Sequence, residues 1–134
     1  MAFDNLDIES VNDWLVRLYD CKDVQFTNCK VKGSEVRKTA VLVTLEGITG
    51  RGYFENNNID CPWGVVDGNL FRTTFPTYEF YSNVMVCSTN TCIVLKAVKS
   101  IVIENNRFEA PSAVYLVGIC GEITIKNNKV SDFK

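Results

Sequence analysis

The 134-residue chain contains no histidine. That absence removes the Ser-His-Asp and Cys-His triads, because both need an imidazole to take and return the nucleophile's proton. It also deprives zinc of its usual nitrogen donor, and the six cysteines, at 21, 29, 61, 87, 92 and 120, include no Cys-x-x-Cys pair. Neither Gly-x-x-x-x-Gly-Lys-Ser/Thr nor Gly-x-Gly-x-x-Gly is present, so nothing cradles a phosphate. No cofactor and no metal are therefore expected. A net charge of −2 and a pI near 5.1 lack the basic footprint of a nucleic-acid binder, so nucleic acid is not an expected partner. No apolar run approaches the roughly 18 residues of a membrane span. The start, MAFDNLDIESVNDW, has no cationic segment leading into an apolar core, so no secretory leader is expected either. No membrane partner is expected. Low-complexity and linker segments are missing too, which leaves one domain over 1–134.

What is present is one phrase written twice, SIVIENNRFE at 100–109 and EITIKNNKVS at 122–131. Self-similarity at a period of 20 to 50 residues is the mark of a solenoid. Three further copies align with these: Val24-Gln-Phe26-Thr-Asn28-Cys29, Gly52-Tyr-Phe54-Glu-Asn56-Asn57 and Tyr78-Glu-Phe80-Tyr-Ser82-Asn83. The anchor positions 29, 57, 83, 106 and 128 are separated by 28, 26, 23 and 22 residues. Each copy has an upstream apolar partner, as in WLVRLY, AVLVTL, CIVLKAV and AVYLVG, and alternation rather than a 3.6-residue stripe dominates. The third unit is the least regular, because Pro76 cannot donate a ladder bond. Val24, Phe26, Phe54, Phe80, Ile101, Ile103, Ile123 and Ile125 are the expected inward residues. Residues 1–13 are expected to cap the stack, with a short helix or turn within 4–13. RGYFENNNID, with a glycine on each side of Arg51, reads as a loop breaking the coil's outline, and 47–77 as the place for a contact surface.

These units resemble the right-handed parallel β-helix of pectate-lyase-like proteins, a fold also found in phage and viral tail proteins, over about residues 14–134. The resemblance implies an all-β solenoid of about five coils, each of about three short strands. It also implies a two-residue turn with a left-handed Asn that stacks as a ladder. Asn28, Asn57, Asn83, Asn106 and Asn128 are the expected ladder residues; Asn tolerates positive φ and its amide can bond the same group one coil away. The family's enzymes would bring clustered Asp with an Arg base, or Asn-Thr-Asp, Asp-Asp and Gly-His-Gly motifs, and this chain has none of them.

One outward face still offers chemistry. Alternate positions place Gln25, Tyr53, Glu79, Val102 and Thr124 in one column and Thr27, Glu55, Tyr81, Glu104 and Lys126 in the next. With strands about 4.8 Å apart and alternate residues about 6.7 Å apart, Glu79 and Glu104 lie diagonally at roughly 8 Å, as do Glu55 and Glu79. That spacing overlaps an inverting glycosidase's acid and base, so Glu79, Glu104 and Glu55 are the catalytic candidates. Tyr53 and Tyr81 would give sugars a stacking face, with Gln25 and Lys126 as polar contacts. The cysteines read as small buried apolar groups, with Cys61 and Cys87 the pair that stacking brings together.

The last coil ends six residues after Asn128, with no cap foreseen beyond Phe133. An exposed end presents apolar core and unpaired backbone, so it is expected to dock on another chain, on a copy, or on a continuation. The resemblance then ranks a structural or attachment module, in a viral or phage tail, fibre or capsid accessory assembly, ahead of a carbohydrate-binding or polysaccharide-degrading protein, and it favours a virion or cytoplasmic location.

Overall fold

A computed structural model describes residues 1–9, 14–18, 21–33, 40–44, 48–67, 74–88 and 91–132. Every described element is a strand. In chain order they are β1 (Ala2–Asp4), β2 (Asp7–Glu9) and β3 (Trp14–Leu18), then β4 (Cys21–Thr27), β5 (Lys30–Lys32) and β6 (Ala40–Thr44). Next come β7 (Ile48–Glu55), β8 (Asn58–Asp60), β9 (Val65–Asp67), β10 (Thr77–Tyr81), β11 (Val84–Val86) and β12 (Thr91–Val98). The chain closes with β13 (Ser100–Glu104), β14 (Arg107–Glu109), β15 (Ser112–Ile119), β16 (Ile123–Lys126) and β17 (Lys129–Ser131).

Strands three apart in sequence pair in parallel, giving a first sheet β1-β4-β7-β10-β13-β16, a second β2-β5-β8-β11-β14-β17 and a third β3-β6-β9-β12-β15. The chain is thus a parallel β-solenoid. The expected helix is not found over 4–9: β1 and β2, joined by a turn at Asn5, are a coil in their own right, paired with β4 and β5. Residues 10–13 and 133–134, like 68–73 of the expected contact region, lie outside the described residues. Arg51 also corrects the loop reading, since it sits inside β7, paired with Asp23 and Thr77.

The turn between the first and second sheets explains the doubled Asn. Its first residue takes positive φ, 54 to 58°, at Asn5, Asn28, Asn56, Ser82, Asn105 and Asn127. Asn reaches this region at low cost because its short amide tolerates it. The second residue points inward and carries the ladder. Asn57, Asn83 and Asn106 are at most 3% exposed. Oδ1 of Asn83 accepts from the backbone N of Asn57 at 3.0 Å and its Nδ2 at 2.9 Å, and Asn106 and Asn128 repeat the pattern for the coil before each. Each Nδ2 also donates to a carbonyl of an earlier coil, as Asn83 does to Phe54 at 3.0 Å. Asn28 stands outside this ladder: it belongs to the positive-φ column, accepting from Asn56 Nδ2 at 2.7 Å, and Cys29 holds the inward place. The left-handed residue and the ladder residue are therefore neighbours rather than one residue.

Inside, Phe3, Phe26, Phe54 and Phe80 form a stack with centroids 4.5, 5.3 and 4.9 Å apart and planes within 15°. Val24, Phe26, Phe54, Phe80, Ile101 and Ile103 are buried as expected. Gly52 makes room for Tyr78: a Cβ there would lie 2.5 Å from the ring. The Tyr78 hydroxyl in turn donates to the buried carboxylate of Asp67 at 2.6 Å. Ile123 and Ile125 keep the inward register but are exposed, because no further described coil covers them.

Ile103→Ala should cost about 2 to 5 kcal/mol by denaturant titration, the range for a truncated, fully buried aliphatic side chain. A change within about 0.5 kcal/mol would mean the inward register is wrong, since that is the scale of a surface substitution. Asn83→Ala should destabilise clearly more than Asn128→Ala in the same assay, because it strands buried donors of Asn57, each worth about 1 to 3 kcal/mol, whereas Asn128 is only half-buried.

Candidate functional site

The outward columns of the first sheet come together in the register expected. Gln25, Tyr53, Glu79, Val102 and Thr124 are successive partners, and so are Thr27, Glu55, Tyr81, Glu104 and Lys126. Strand β1 extends the two columns with Ala2 and Asp4. Glu79 and Glu104 are consequently diagonal neighbours, as are Glu55 and Glu79.

Arg51, in a third outward column, reorganises this surface. Its Nε donates to Oε2 of Glu79 in an ion pair, and its guanidinium carbon lies 4.5 Å from the centroid of the Tyr53 ring. The Tyr81 hydroxyl donates to Oε1 of Glu79 at 3.1 Å, and that of Tyr53 to Oε2 of Glu55 at 2.6 Å. Farther along, Lys126 Nζ is 3.5 Å from Glu104 Oε1. The carboxylate face is thus a ribbon of mutually satisfied charges.

Electrostatics follow from those bonds. The Arg51 guanidinium, helped by Tyr81 and opposed by partial burial, holds Glu79 below the ordinary carboxylate value. A general acid at neutral pH needs the opposite shift, so Glu79 in this arrangement is an anionic anchor for Arg51 rather than a proton donor. Tyr53 is pushed up to about 12, first by its bond to Glu55 and then by burial. Tyr81 is raised by burial and by Glu79.

The aromatic faces are partly occupied as well. Arg51 covers one face of Tyr53, and the Tyr53 and Tyr81 rings, 5.8 Å apart, are tilted by 49°. They do not form the flat platform on which a sugar stacks. A shallow depression of about 310 Å³ opens beside them, between Asp23, Gln25, Arg51 and Tyr53. A second, of about 300 Å³, lies on the second sheet among Asp7, Glu9, Lys30, Lys32 and Asp60.

Among the described residues no three Cys, Asp or Glu side chains converge to hold a metal ion. None of the six cysteines is in a disulfide. Cys61, Cys87 and Cys92 are buried, and Cys92 joins the expected pair from the third sheet. The Cys87 thiol is pushed far up by its bond with Cys92, by burial and by Cys61, which keeps it protonated and unreactive. Arg51 and Cys92 are the residues sequence reasoning missed. The signal for Arg51 was its place two residues before Tyr53, on the same side of the strand.

No family model, curated protein or solved structure matches this chain.

Spectrophotometric titration should show one tyrosine ionising near 12, and Glu55→Ala should bring it back toward the ordinary 10. The folded value is raised, so the Tyr53–Glu55 bond contributes fully below about pH 10 and is lost as pH rises through about 12. An unchanged titration in Glu55→Ala would remove that bond as the cause.

Proposed function

We propose that the chain is a non-catalytic structural or attachment module that works by end-on association through its C-terminal coil. One observation carries this reading. Ile123, Ile125 and Val130 are 51, 53 and 63% exposed, whereas their column partners one coil earlier, Ile101, Ile103 and Phe108, are 1, 0 and 1% exposed. Covering the remaining half of each such side chain is worth about 1 kcal/mol. Beside them run the outer edges of β15, β16 and β17, the last strands of the three sheets. An open parallel edge backed by apolar residues is a template for another strand layer.

The lateral face supports the same reading indirectly. Its candidate carboxylates are engaged, Glu79 by Arg51 and Glu104 by Lys126, and this favours a structural role over the polysaccharide-degrading or carbohydrate-binding alternative. A tail, fibre or capsid accessory assembly is the setting suggested by the repeat's resemblance alone.

Sedimentation equilibrium of the intact chain, alone and with native extract, tests the proposal. Self-association or complex formation is expected, and Ile125→Lys should weaken it. A monodisperse monomer that binds nothing sinks it. Reducing-end release from a polysaccharide by the pure protein, abolished by Glu104→Gln or Glu79→Gln, would select the enzyme instead.

A further inference from the structure

Resting on the reading that the C-terminal coil is a contact surface, we propose that its partner is the N-terminal coil of a second copy, stacked head to tail so that the solenoid continues across the junction. The two ends fit because they are the first and last members of the same columns. Phe3, Phe26, Phe54, Phe80, Ile103 and Ile125 form one inward column, and Ile8, Val31, Ile59, Met85, Phe108 and Val130 another. One further step of the register sets Phe3 of the copy on Ile125 and Ile8 on Val130. The third sheet has five strands against six in the other two, so the same step leaves one strand place open there, between β15 and β3 of the copy. The backbone continues too: Asn105 N donates to Lys126 O at 3.2 Å, and Asn127 N would reach Asp4 O of the copy in the same way.

Charge selects this pairing. The outward column containing Glu104 and Lys126 begins at Asp4, and the column containing Arg107 and Lys129 begins at Asp7. A head-to-tail junction therefore puts Asp4 beside Lys126 and Asp7 beside Lys129. Within one chain Lys129 is stacked next to Arg107, a like-charge neighbour that Asp7 would offset. Joining two C-terminal coils would instead face lysine with lysine. At one place the chemistry changes: Leu6, 39% exposed, occupies the ladder column of Asn128 and supplies no amide oxygen. The junction is accordingly weaker than a step inside the coil. Because head-to-tail contacts with no closing rotation propagate, the product is an open filament.

Sedimentation velocity over a concentration series reads this out. The wild-type chain should grow without a fixed end point, and added salt should shorten the assemblies. Lys126→Glu with Lys129→Glu makes both ends acidic, and Asp4→Lys with Asp7→Lys makes both basic; each variant alone should associate roughly tenfold more weakly, and their equimolar mixture should recover assembly. The pair Lys129→Asp and Asp7→Lys repeats the test without disturbing Asp4, which accepts from Thr27 and Asn28, and circular dichroism checks that each variant is folded. A wild-type monomer at all concentrations, a closed dimer, or a mixture no better than its parts overturns the proposal. If Ile125→Lys weakens an association that the mixture fails to restore, the C-terminal contact stands and only the head-to-tail partner is wrong.

Discussion

The middle coils of this protein depend on buried amides that their own coils cannot satisfy. Asn57, Asn83 and Asn106 sit in the interior, where an unpaired donor or acceptor costs about 1 to 3 kcal/mol. Their partners lie 22 to 31 residues away in sequence, in the coils before and after. An aspartate at these places would lose the two donors, and an alanine would leave neighbouring backbone stranded. The amide therefore fixes the rise and the register together, and one residue of slip would turn Phe26, Phe54 and Phe80 outward. Stacked rings add about 0.5 to 1.5 kcal/mol per pair, so the aromatic column reinforces a register already set by the amides.

Once the register is fixed, the surface follows as straight columns with a period of one coil. Arg51 can reach Glu79 only because their strands are paired and their columns adjacent. With the Arg51 side chain half exposed, this pair contributes about 0 to 1 kcal/mol to stability. Its larger effect is on chemistry: it fixes Glu79 as an anion and lays a cation over Tyr53. The same geometry that would align two carboxylates for glycoside hydrolysis brings in a guanidinium that neutralises one of them.

The period and the alternation made most of the first sheet legible from sequence, down to which residues share an outward column. Three things were hidden, each for a physical reason. The N-terminal coil carries Asn5-Leu6 where the coils from Asn57 onward carry an amide in the ladder place, so the strongest mark of a turn is missing while Phe3 and Ile8 still point inward. Asn28 looks like a ladder residue by type but is one position early, and the thiol of Cys29, bonded to backbone carbonyls, fills the inward place. The glycines around Arg51 suggested a loop, whereas Gly52 is required by the bulk of Tyr78 one coil away, a relation that lies across coils and not along the chain. The Asp67–Tyr78 pair was hidden likewise, its partners sitting in different sheets.

In the first and second sheets the first and last strands close the same columns, so side-chain chemistry governs any joining of copies there. Folded domains with such edges blunt them with charge, bulges or covers. Here two outward columns, from Asp4 to Lys126 and from Asp7 to Lys129, close with opposite signs. The first coil presents Asp4, Asp7 and Glu9, the last Lys126 and Lys129, on the same faces of the same sheets. Charge of one sign at both ends would keep copies apart in every orientation. Opposite signs penalise like ends and leave the unlike ends attractive, while the apolar columns running through Phe3 and Ile125 give that encounter something to bury. On the proposed head-to-tail association, the lysines that guard the C-terminal edge against a second such edge would also give it polarity, and the exposed isoleucines beside them would be a surface with a direction.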